Sequence, residues 1–208
     1  MILKASHHPV IYPFLKIWSL WKIRTNFDRV NITGDFHEKG KPILLISNHI
    51  SWWDGFWVVY LNLKLFHRIF YYMMLEEQLR KNIFLNKAGG YSVRKGSRSV
   101  IESLDYTSEL LKDKKNLVLM FPQGKIESMH NQNIRFERGI EHVLKKTGGD
   151  VQVLFLINLT DYFSNQKPGL YMYFREYEGS DFTTEALQNE FNNFYASCVS
   201  ENITRSKS

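Results

Sequence analysis

The 208-residue chain has one cysteine, few prolines and no long uninterrupted apolar run. With Cys198 alone no intrachain disulfide can form, and this cysteine usage favours a reducing compartment. No apolar run approaches the ~18 residues that a membrane-spanning helix needs. Lys16 and Lys22 interrupt the apolar stretch near the start and no small-residue cleavage site follows, so we expect no cleavable signal peptide. A disulfide-stabilised scaffold is thereby excluded, and no membrane-spanning helix is expected.

Aromatic and basic residues, by contrast, are abundant. Aromatics make up 15% of the chain, apolar residues make up 44%, and the formal net charge is +6. This composition and length are typical of one globular domain with a full core. The positive charge is concentrated in residues 1–30, where five Lys/Arg face Asp28 alone. A basic amino-terminal end indicates an anionic partner, either a membrane surface or a nucleic acid.

Residues 9–24 are the most amphipathic segment of the chain. On a helix that begins at Pro13, Lys16, Ser19 and Lys22 recur every third residue and make a narrow polar stripe, while apolar side chains that include two tryptophans cover the rest. Such a helix lies in a bilayer interface or packs on the core of its own domain. Both interpretations stay open, and the tryptophans bordering the basic stripe favour the membrane.

Short apolar runs alternate with helical segments along most of the remaining chain. The predicted strands are 30–33, 43–46, the middle of 67–75, 91–94, 116–121, 151–159 and 170–174, the last of them nearer an edge. The predicted helices are 52–65, 76–87, 98–112, 138–146 and 183–198. Ser97 is the expected N-cap of the third of these helices, and its expected inner face is Ile101, Leu104, Leu110 and Leu111.

This alternation predicts an α/β fold: a single domain with a largely parallel, mixed sheet flanked by helices. We expect residues 30–208 to form that domain. Residues 1–29 would precede it as an amphipathic, membrane-associating segment.

A histidine and an aspartate occupy the turn between the second predicted strand and the helix after it. The apolar run 43–46 breaks into polar residues that include His49, and Asp54 follows five positions later. In one continuous helix these side chains would lie ~140° apart. With Ser51 as N-cap they can approach, and Asp54 can accept from one imidazole nitrogen while the other serves as a base. Ser51-x-x-Asp54 is equally typical of a structural capping box, and the two roles are compatible.

Four more segments follow this turn in a fixed order. They are Gly89-Gly90-Tyr-Ser-Val-Arg94, Phe121-Pro122-Gln123-Gly124, Phe136-Glu-Arg-Gly139 and the apolar run 151–157. Together with Asn48-His49-x-x-x-x-Asp54, they resemble the motifs of the glycerol-3-phosphate and lysophosphatidic-acid acyltransferase superfamily. The resemblance extends over roughly residues 30–175.

The resemblance implies acyl transfer from a thioester, acyl-CoA or acyl-carrier protein, to a hydroxyl of a lipid acceptor. His49 would be the general base and Asp54 would orient it, so neither a nucleophilic cysteine nor a metal is required. The residues expected to bind substrate are Arg94, Lys95 and Arg98 of the second motif and Gln123, Gly124 and Lys125 of the third. Backbone donors near Gly124 are the expected oxyanion site. A basic cluster such as that at Arg94 is usually a solvated turn, but its position within the second motif favours phosphate binding.

The third motif departs from the family's usual Phe-Pro-Glu-Gly-Thr-Arg. Gln123 replaces the glutamate, and Lys125-Ile126 replaces Thr-Arg, which removes the guanidinium expected at the acceptor's phosphate. A lysine supplies charge without the bidentate fork of arginine. The acceptor is therefore as compatible with another lipid hydroxyl, such as that of a lyso-aminolipid or a pigment-ester precursor, as with a lysophospholipid.

The sequence thus predicts a membrane-associated O-acyltransferase on the cytoplasmic face, docked by residues 9–24 and needing no cofactor beyond its acyl thioester. The alternative is a non-catalytic lipid-binding relative with the same fold, against which the retention of His49 and Asp54 argues. A nucleic-acid-binding protein is the third class, but no nucleic-acid motif is recognised and the charge lies beside a Trp-rich helix. We therefore expect no nucleic-acid partner.

Overall fold

Seven strands and six α-helices alternate along the computed structural model, which describes residues 2–94, 96 and 99–205. The strands are β1 (Val30–Thr33), β2 (Ile43–Ser47), β3 (Ile69–Leu75), β4 (Gly90–Val93), β5 (Asn116–Met120), β6 (Gln152–Asp161) and β7 (Gly169–Glu176). The helices are α1 (Ile11–Asn26), α2 (Asp54–Leu61), α3 (Glu76–Lys81), α4 (Ser99–Leu110), α5 (Gly139–Lys146) and α6 (Thr184–Thr204).

The strands form one sheet in the order β1-β7-β6-β2-β5-β3-β4. Strands β6, β2, β5, β3 and β4 run parallel to one another. Strand β7 is antiparallel to β6, and β1 is parallel to β7. The predicted α/β domain with a largely parallel, mixed sheet is therefore confirmed. Strand β7 is the second strand from one side of the sheet. The parallel strands β2, β5, β3 and β4 all end at the same end of the sheet.

Both faces of the sheet are covered, which explains why the central strands β2 and β5 are buried at every position and mostly apolar. In β2, Ile43 and Leu45 pack towards α1 and α2, whereas Leu44 and Ile46 pack towards α4, α5 and α6. This alternation follows from the two-residue period of a strand. The core therefore has two large layers, and a smaller cluster lies between α1, α2 and α3.

Helix α1 packs on the same core as the rest of the chain. Its residues Leu15, Ser19 and Ile23 are buried, and Ile23 belongs to the cluster that contains Leu45 and Trp57. The segment before α1 is attached to β4, because the Leu3 N–H donates to Ser92 Oγ at 2.8 Å. Core packing, one of the two interpretations left open for α1, therefore applies to the face that carries these buried residues. Contact of the opposite face with a membrane stays a prediction.

Some local expectations are wrong. The helix predicted over 76–87 is α3, which ends at Lys81, and a 3₁₀ turn over Ile83–Leu85 follows it. It ends there because Asn82 leaves the helical conformation, with φ −124° and ψ 55°. Ile101 does not lie on the inner face of α4 and is 51% exposed, since it borders a cavity and not the core. The expected N-cap Ser97 lies outside the described residues.

Candidate active site

The turn between β2 and α2 brings His49 and Asp54 together. His49 Nδ1 lies 2.8 Å from Asp54 Oδ2, the contact that their spacing makes possible. Asp54 is the first residue of α2, and the N-cap is Trp53 and not the predicted Ser51. Ser51 instead accepts from the Trp53 N–H at 3.1 Å. His49 therefore stays in the turn before the helix.

The Asp54 carboxylate supports both the turn and the histidine. Oδ2 accepts from the backbone N–H groups of Ile50 at 2.7 Å and Ser51 at 3.0 Å, as well as from His49. Since Oδ2 already accepts two N–H groups, the proton of this contact belongs on His49 Nδ1, which leaves Nε2 as the basic nitrogen. The structural role of Asp54 in the turn is thus compatible with the orienting role predicted for it.

Asp54 is fully buried, and burial raises the pKa of its carboxyl group. Hydrogen bonds from His49, Ser51 and Ile50 act in the opposite direction and lower that pKa. The second oxygen, Oδ1, has no partner within the described part of the chain. Charge at Asp54 is therefore costly, and it is stabilised mainly through one oxygen.

The loop after β5 encloses His49. Phe121 stacks on the imidazole, with 3.9 Å between ring centroids and 10° between ring planes. Gln123 Oε1 accepts from the His49 N–H at 3.2 Å, and the Glu127 N–H donates to the His49 carbonyl at 2.9 Å. The ring plane and the backbone of His49 are consequently both held by the third motif.

The three site residues predicted in the third motif have different surroundings. Gln123 is only 4% exposed and binds the His49 backbone, and it does not border the cavity described below. Gly124 borders the cavity with φ +61°, and its N–H already donates to the Phe121 carbonyl at 3.1 Å. That N–H is therefore not available as the expected oxyanion donor. Lys125 borders the cavity and pairs with Glu127 at 2.8 Å.

The second motif is placed differently from the expectation. Gly89 has φ +100°, and a Cβ there would collide with the carbonyl of Phe70, so the glycine permits close packing against β3. Arg94 binds both oxygens of Glu76, at 3.0 and 3.1 Å, and does not border the cavity. Lys95 and Arg98, the other predicted phosphate ligands, lie outside the described residues.

A cavity of about 1070 Å³ opens beside His49, at the edge where the parallel strands end. Ligands of open α/β sheets bind at this edge. Its wall combines side chains from both helical layers and is largely apolar. Apolar wall residues include Leu15, Phe56, Val59, Tyr72, Met74, Leu85, Ala88, Val100, Ile101 and Leu104. This volume slightly exceeds the ~300–1,000 Å³ range of small-molecule pockets.

Asn48, the residue before the histidine, has a structural role. Its side chain donates to the Asn158 carbonyl at 2.9 Å and accepts from the Asn158 N–H at 2.8 Å. The amide group thereby continues the pairing of β2 with β6 beyond the end of the strand. His49 thus directly follows a residue whose side chain is fixed by two hydrogen bonds to β6.

No group of three or more His, Cys, Asp or Glu within the described ranges is arranged to hold a metal ion.

Two further residues beside the site received no role from the sequence. Phe121 stacks on the histidine, and Arg138 borders the cavity. Both belong to motifs recognised in the sequence, Phe121-Pro-Gln-Gly and Phe136-Glu-Arg-Gly. The signal was present in those motifs, but only the fold shows that Phe121 contacts His49 and that Arg138 borders the same cavity.

Comparison with known proteins agrees with this geometry. Residues 29–156 match the family model described as Acyltransferase, which is more than half of the chain and includes the His49–Asp54 turn and the loop after β5. A search of curated proteins found no match. The chain therefore belongs to the acyltransferase family, within the glycerol-3-phosphate and lysophosphatidic-acid acyltransferase superfamily.

Proposed function

We propose that this acyltransferase transfers a fatty acyl group from an acyl thioester, acyl-CoA or acyl-carrier protein, to a hydroxyl of a lipid acceptor at the cytoplasmic face of a membrane. The observation that carries the proposal is the His49–Asp54 pair at 2.8 Å beside a large, mostly apolar cavity. The pair provides a base, and the cavity provides room for a fatty chain next to it.

The reaction proceeds through proton transfer at His49. Nδ1–H donates to Asp54, so Nε2 accepts the proton of the acceptor hydroxyl as its oxygen attacks the thioester carbonyl carbon. The tetrahedral intermediate then collapses, the C–S bond breaks, and the imidazolium returns the proton to the departing thiolate. General-base catalysis of this kind contributes ~10²–10⁴-fold, and positioning of an already activated thioester contributes much of the remainder.

The apolar wall is suited to a hydrocarbon chain. Burying methylene groups against such a wall stabilises a bound acyl chain by ~0.8 kcal/mol per methylene. Three charged side chains border the cavity in or close to the third motif, namely Lys125, Glu137 and Arg138, and the Glu137 N–H donates to the Pro122 carbonyl. The polar part of donor or acceptor therefore belongs at that end, beside His49.

Docking on the membrane is supported by the outer face of α1. Phe14, Ile17 and Trp21 are 61%, 68% and 55% exposed, and together with the exposed Val10 they follow helical spacing. An exposed apolar helix face of this kind suits a bilayer interface. No helix in the described part of the chain is long and apolar enough to cross a bilayer.

The acceptor is a lipid hydroxyl, of the lysophospholipid-like or another type. The changed third motif still supports the catalytic histidine, because Gln123 holds the His49 backbone from a buried position. The replacement of the usual glutamate therefore does not argue for loss of turnover. The His49–Asp54 contact at 2.8 Å argues against the non-catalytic alternative.

The test is acyl transfer by His49→Ala, with acyl-CoA and acyl-carrier protein offered as donors to a panel of lysolipids. We expect activity to fall ~10²–10⁴-fold, because the base is lost, while the melting temperature stays close to that of the wild type. His130→Ala is the control, since His130 is an exposed histidine in the loop after β5 and does not border the cavity. Substantial turnover by folded His49→Ala would overturn the base assignment, and an inactive wild type would favour the lipid-binding alternative.

A further inference from the structure

The cationic side chains that border the cavity are not equivalent. Among the described residues, the lysines and arginines of its wall are Lys16, Lys125 and Arg138. The Lys16 ammonium lies 4.1 Å from the centroid of the Tyr12 ring. Lys125 is paired with Glu127 at 2.8 Å. Arg138 has no ion pair or side-chain hydrogen bond within the described ranges, and its guanidinium retains its full donor capacity.

Backbone contacts hold Arg138 close to the third motif in the loop after β5. The Glu137 N–H donates to the Pro122 carbonyl at 2.9 Å, which fastens the chain just before Arg138 to the third motif. The next residue, Gly139, packs against α4, where a Cβ would lie 3.0 Å from Leu104 Cδ2. The position of Arg138 at the cavity is therefore fixed from both sides.

Arg94, the arginine expected to bind phosphate, forms a salt bridge with Glu76. Both oxygens of Glu76 accept from Arg94, outside the cavity wall. The usual arginine of the third motif is absent, since Ile126 occupies that position, 50% exposed. An anionic group bound near His49 would therefore have no guanidinium partner in the third motif.

We propose that Arg138 binds a phosphate of the substrate, carried either by the acceptor headgroup or by the CoA part of the donor. A guanidinium suits this role because it forms bidentate, charge-assisted hydrogen bonds to phosphate oxygens. Of the nearby acids, Asp105 already pairs with Lys146 at 2.7 Å and contacts His142 at 2.8 Å. Glu137 is exposed at the wall beside Arg138 and makes no ion pair with it. This inference rests on the proposed function and names the group that recognises its anionic substrate.

The experiment compares the wild type with Arg138→Gln, Arg138→Lys and Arg135→Gln. Arg135 is the matched control, because it is exposed three residues earlier and does not border the cavity. The acceptors are a lysolipid with a phosphate monoester and the corresponding neutral monoacylglycerol. The donors are acyl-CoA and the acyl-pantetheine thioester, which lacks the nucleotide.

We expect Arg138→Gln to raise KM by about 10- to 100-fold for the phosphate-bearing substrate only. This factor corresponds to the loss of a charge-assisted hydrogen bond. Arg138→Lys should fall between this variant and the wild type, because it keeps the charge without the fork. A KM change confined to the phosphate-bearing lysolipid assigns the site to the acceptor. A change confined to acyl-CoA assigns it to the donor.

Equal KM changes for phosphate-bearing and neutral substrates would overturn the inference. An effect of Arg135→Gln equal to that of Arg138→Gln would also overturn it.

Calorimetric titration with CoA and with glycerol 3-phosphate tests the anion site without turnover. Unchanged affinity of Arg138→Gln for both ligands would also overturn the inference. Failure of the proposed function is a separate result, recognised by a wild type that binds these anions and transfers no acyl group.

Discussion

At the scale of single residues, the site depends on one buried carboxylate with two roles. Asp54 Oδ2 accepts hydrogen bonds from the His49 imidazole and from two backbone N–H groups at 2.7–3.0 Å. One atom therefore fixes both the turn and the tautomer of His49. The same burial that raises the pKa of Asp54 makes its charge costly to the fold. The role proposed for the Asp54 charge and the stability of the fold therefore oppose each other at this residue.

Asp54→Asn should separate these two effects. We expect activity to fall ~10²–10⁴-fold, because an amide can turn its NH₂ group towards Nδ1 and so place the imidazole proton on Nε2, where it blocks the base. Burial raises the pKa of Asp54, so the wild type loses unfolding free energy as pH rises above the ordinary aspartate pKa of about 4. The stability of Asp54→Asn relative to the wild type should therefore increase with pH, measured by urea unfolding from pH 4 to 8.

Asp105→Asn is the matched control, since Asp105 also lies 2.8 Å from a histidine nitrogen, that of His142. Lys146 and His142 lower the pKa of Asp105. Its contribution is present above the ordinary aspartate pKa and is lost as pH falls through the lowered value, so the sign is opposite to that of Asp54. An Asp54→Asn protein that loses stability relative to the wild type as pH rises would show that its hydrogen bonds outweigh its burial.

At the scale of elements, α1 has an unusual distribution of polar residues. The stripe Lys16, Ser19 and Lys22 does not form the solvent-exposed face. Ser19 is buried, bonding the Leu15 carbonyl at 2.7 Å, and Lys16 borders the cavity. The face turned to the outside is apolar, with Ile17 and Trp21 exposed. The outer face of α1 thus has the character that an interface with lipid requires.

The double variant Ile17→Ser/Trp21→Ser should weaken binding to anionic vesicles at least ~10-fold, because each side chain contributes ~1.5–3 kcal/mol when it is buried. Trp18 is left unchanged, since it stacks on Trp53 at 5.6 Å and its loss would disturb the fold. The measurement is co-sedimentation. Ile203→Ser, at a position 59% exposed on α6, should bind like the wild type. Equal binding by the double variant would mean that this face of α1 does not contact the membrane.

At the scale of the whole molecule, the cavity is a product of topology. Helices α1 and α2 cover one face of the sheet and α4 and α5 the other, and side chains from both layers line one space at the ends of the parallel strands. That arrangement places the apolar wall and the His49–Asp54 pair side by side. The lining of the cavity is therefore a property of several elements together.

Val59→Trp should lower activity with long-chain donors at least ~10-fold and spare short-chain donors, because the added ring occupies space that the chain needs. Val59 suits the test because it borders the cavity and is only partly buried in the core. The readout is kcat/KM across a series of acyl-chain lengths. Ile203→Trp, far along the chain on the exposed side of α6, is the control. A uniform loss at all chain lengths would contradict a chain-binding cavity.

Much of the architecture could be predicted from the order of apolar runs along the chain. Continuous runs such as 43–46 and 116–121 mark strands buried on both faces, and the helical segments between them imply parallel pairing. Helix ends were less predictable, since Asn82 ends α3 by its backbone conformation and not by a proline or glycine signal. The motif also singled out His49 and Asp54, whose contact at 2.8 Å depends on the helix beginning at Asp54 and not before His49.

What only the tertiary structure decided are the relations between distant segments. Arg94 and Arg138 are both basic residues of recognised motifs, yet one is paired with Glu76 and the other borders the cavity. The polar stripe of α1 faces the protein because its other neighbours, Leu15 and Ile23, pack in the core. Local sequence determines elements and short-range pairs. The direction in which a surface side chain points depends on partners supplied by other strands and helices, which spacing along the chain does not encode.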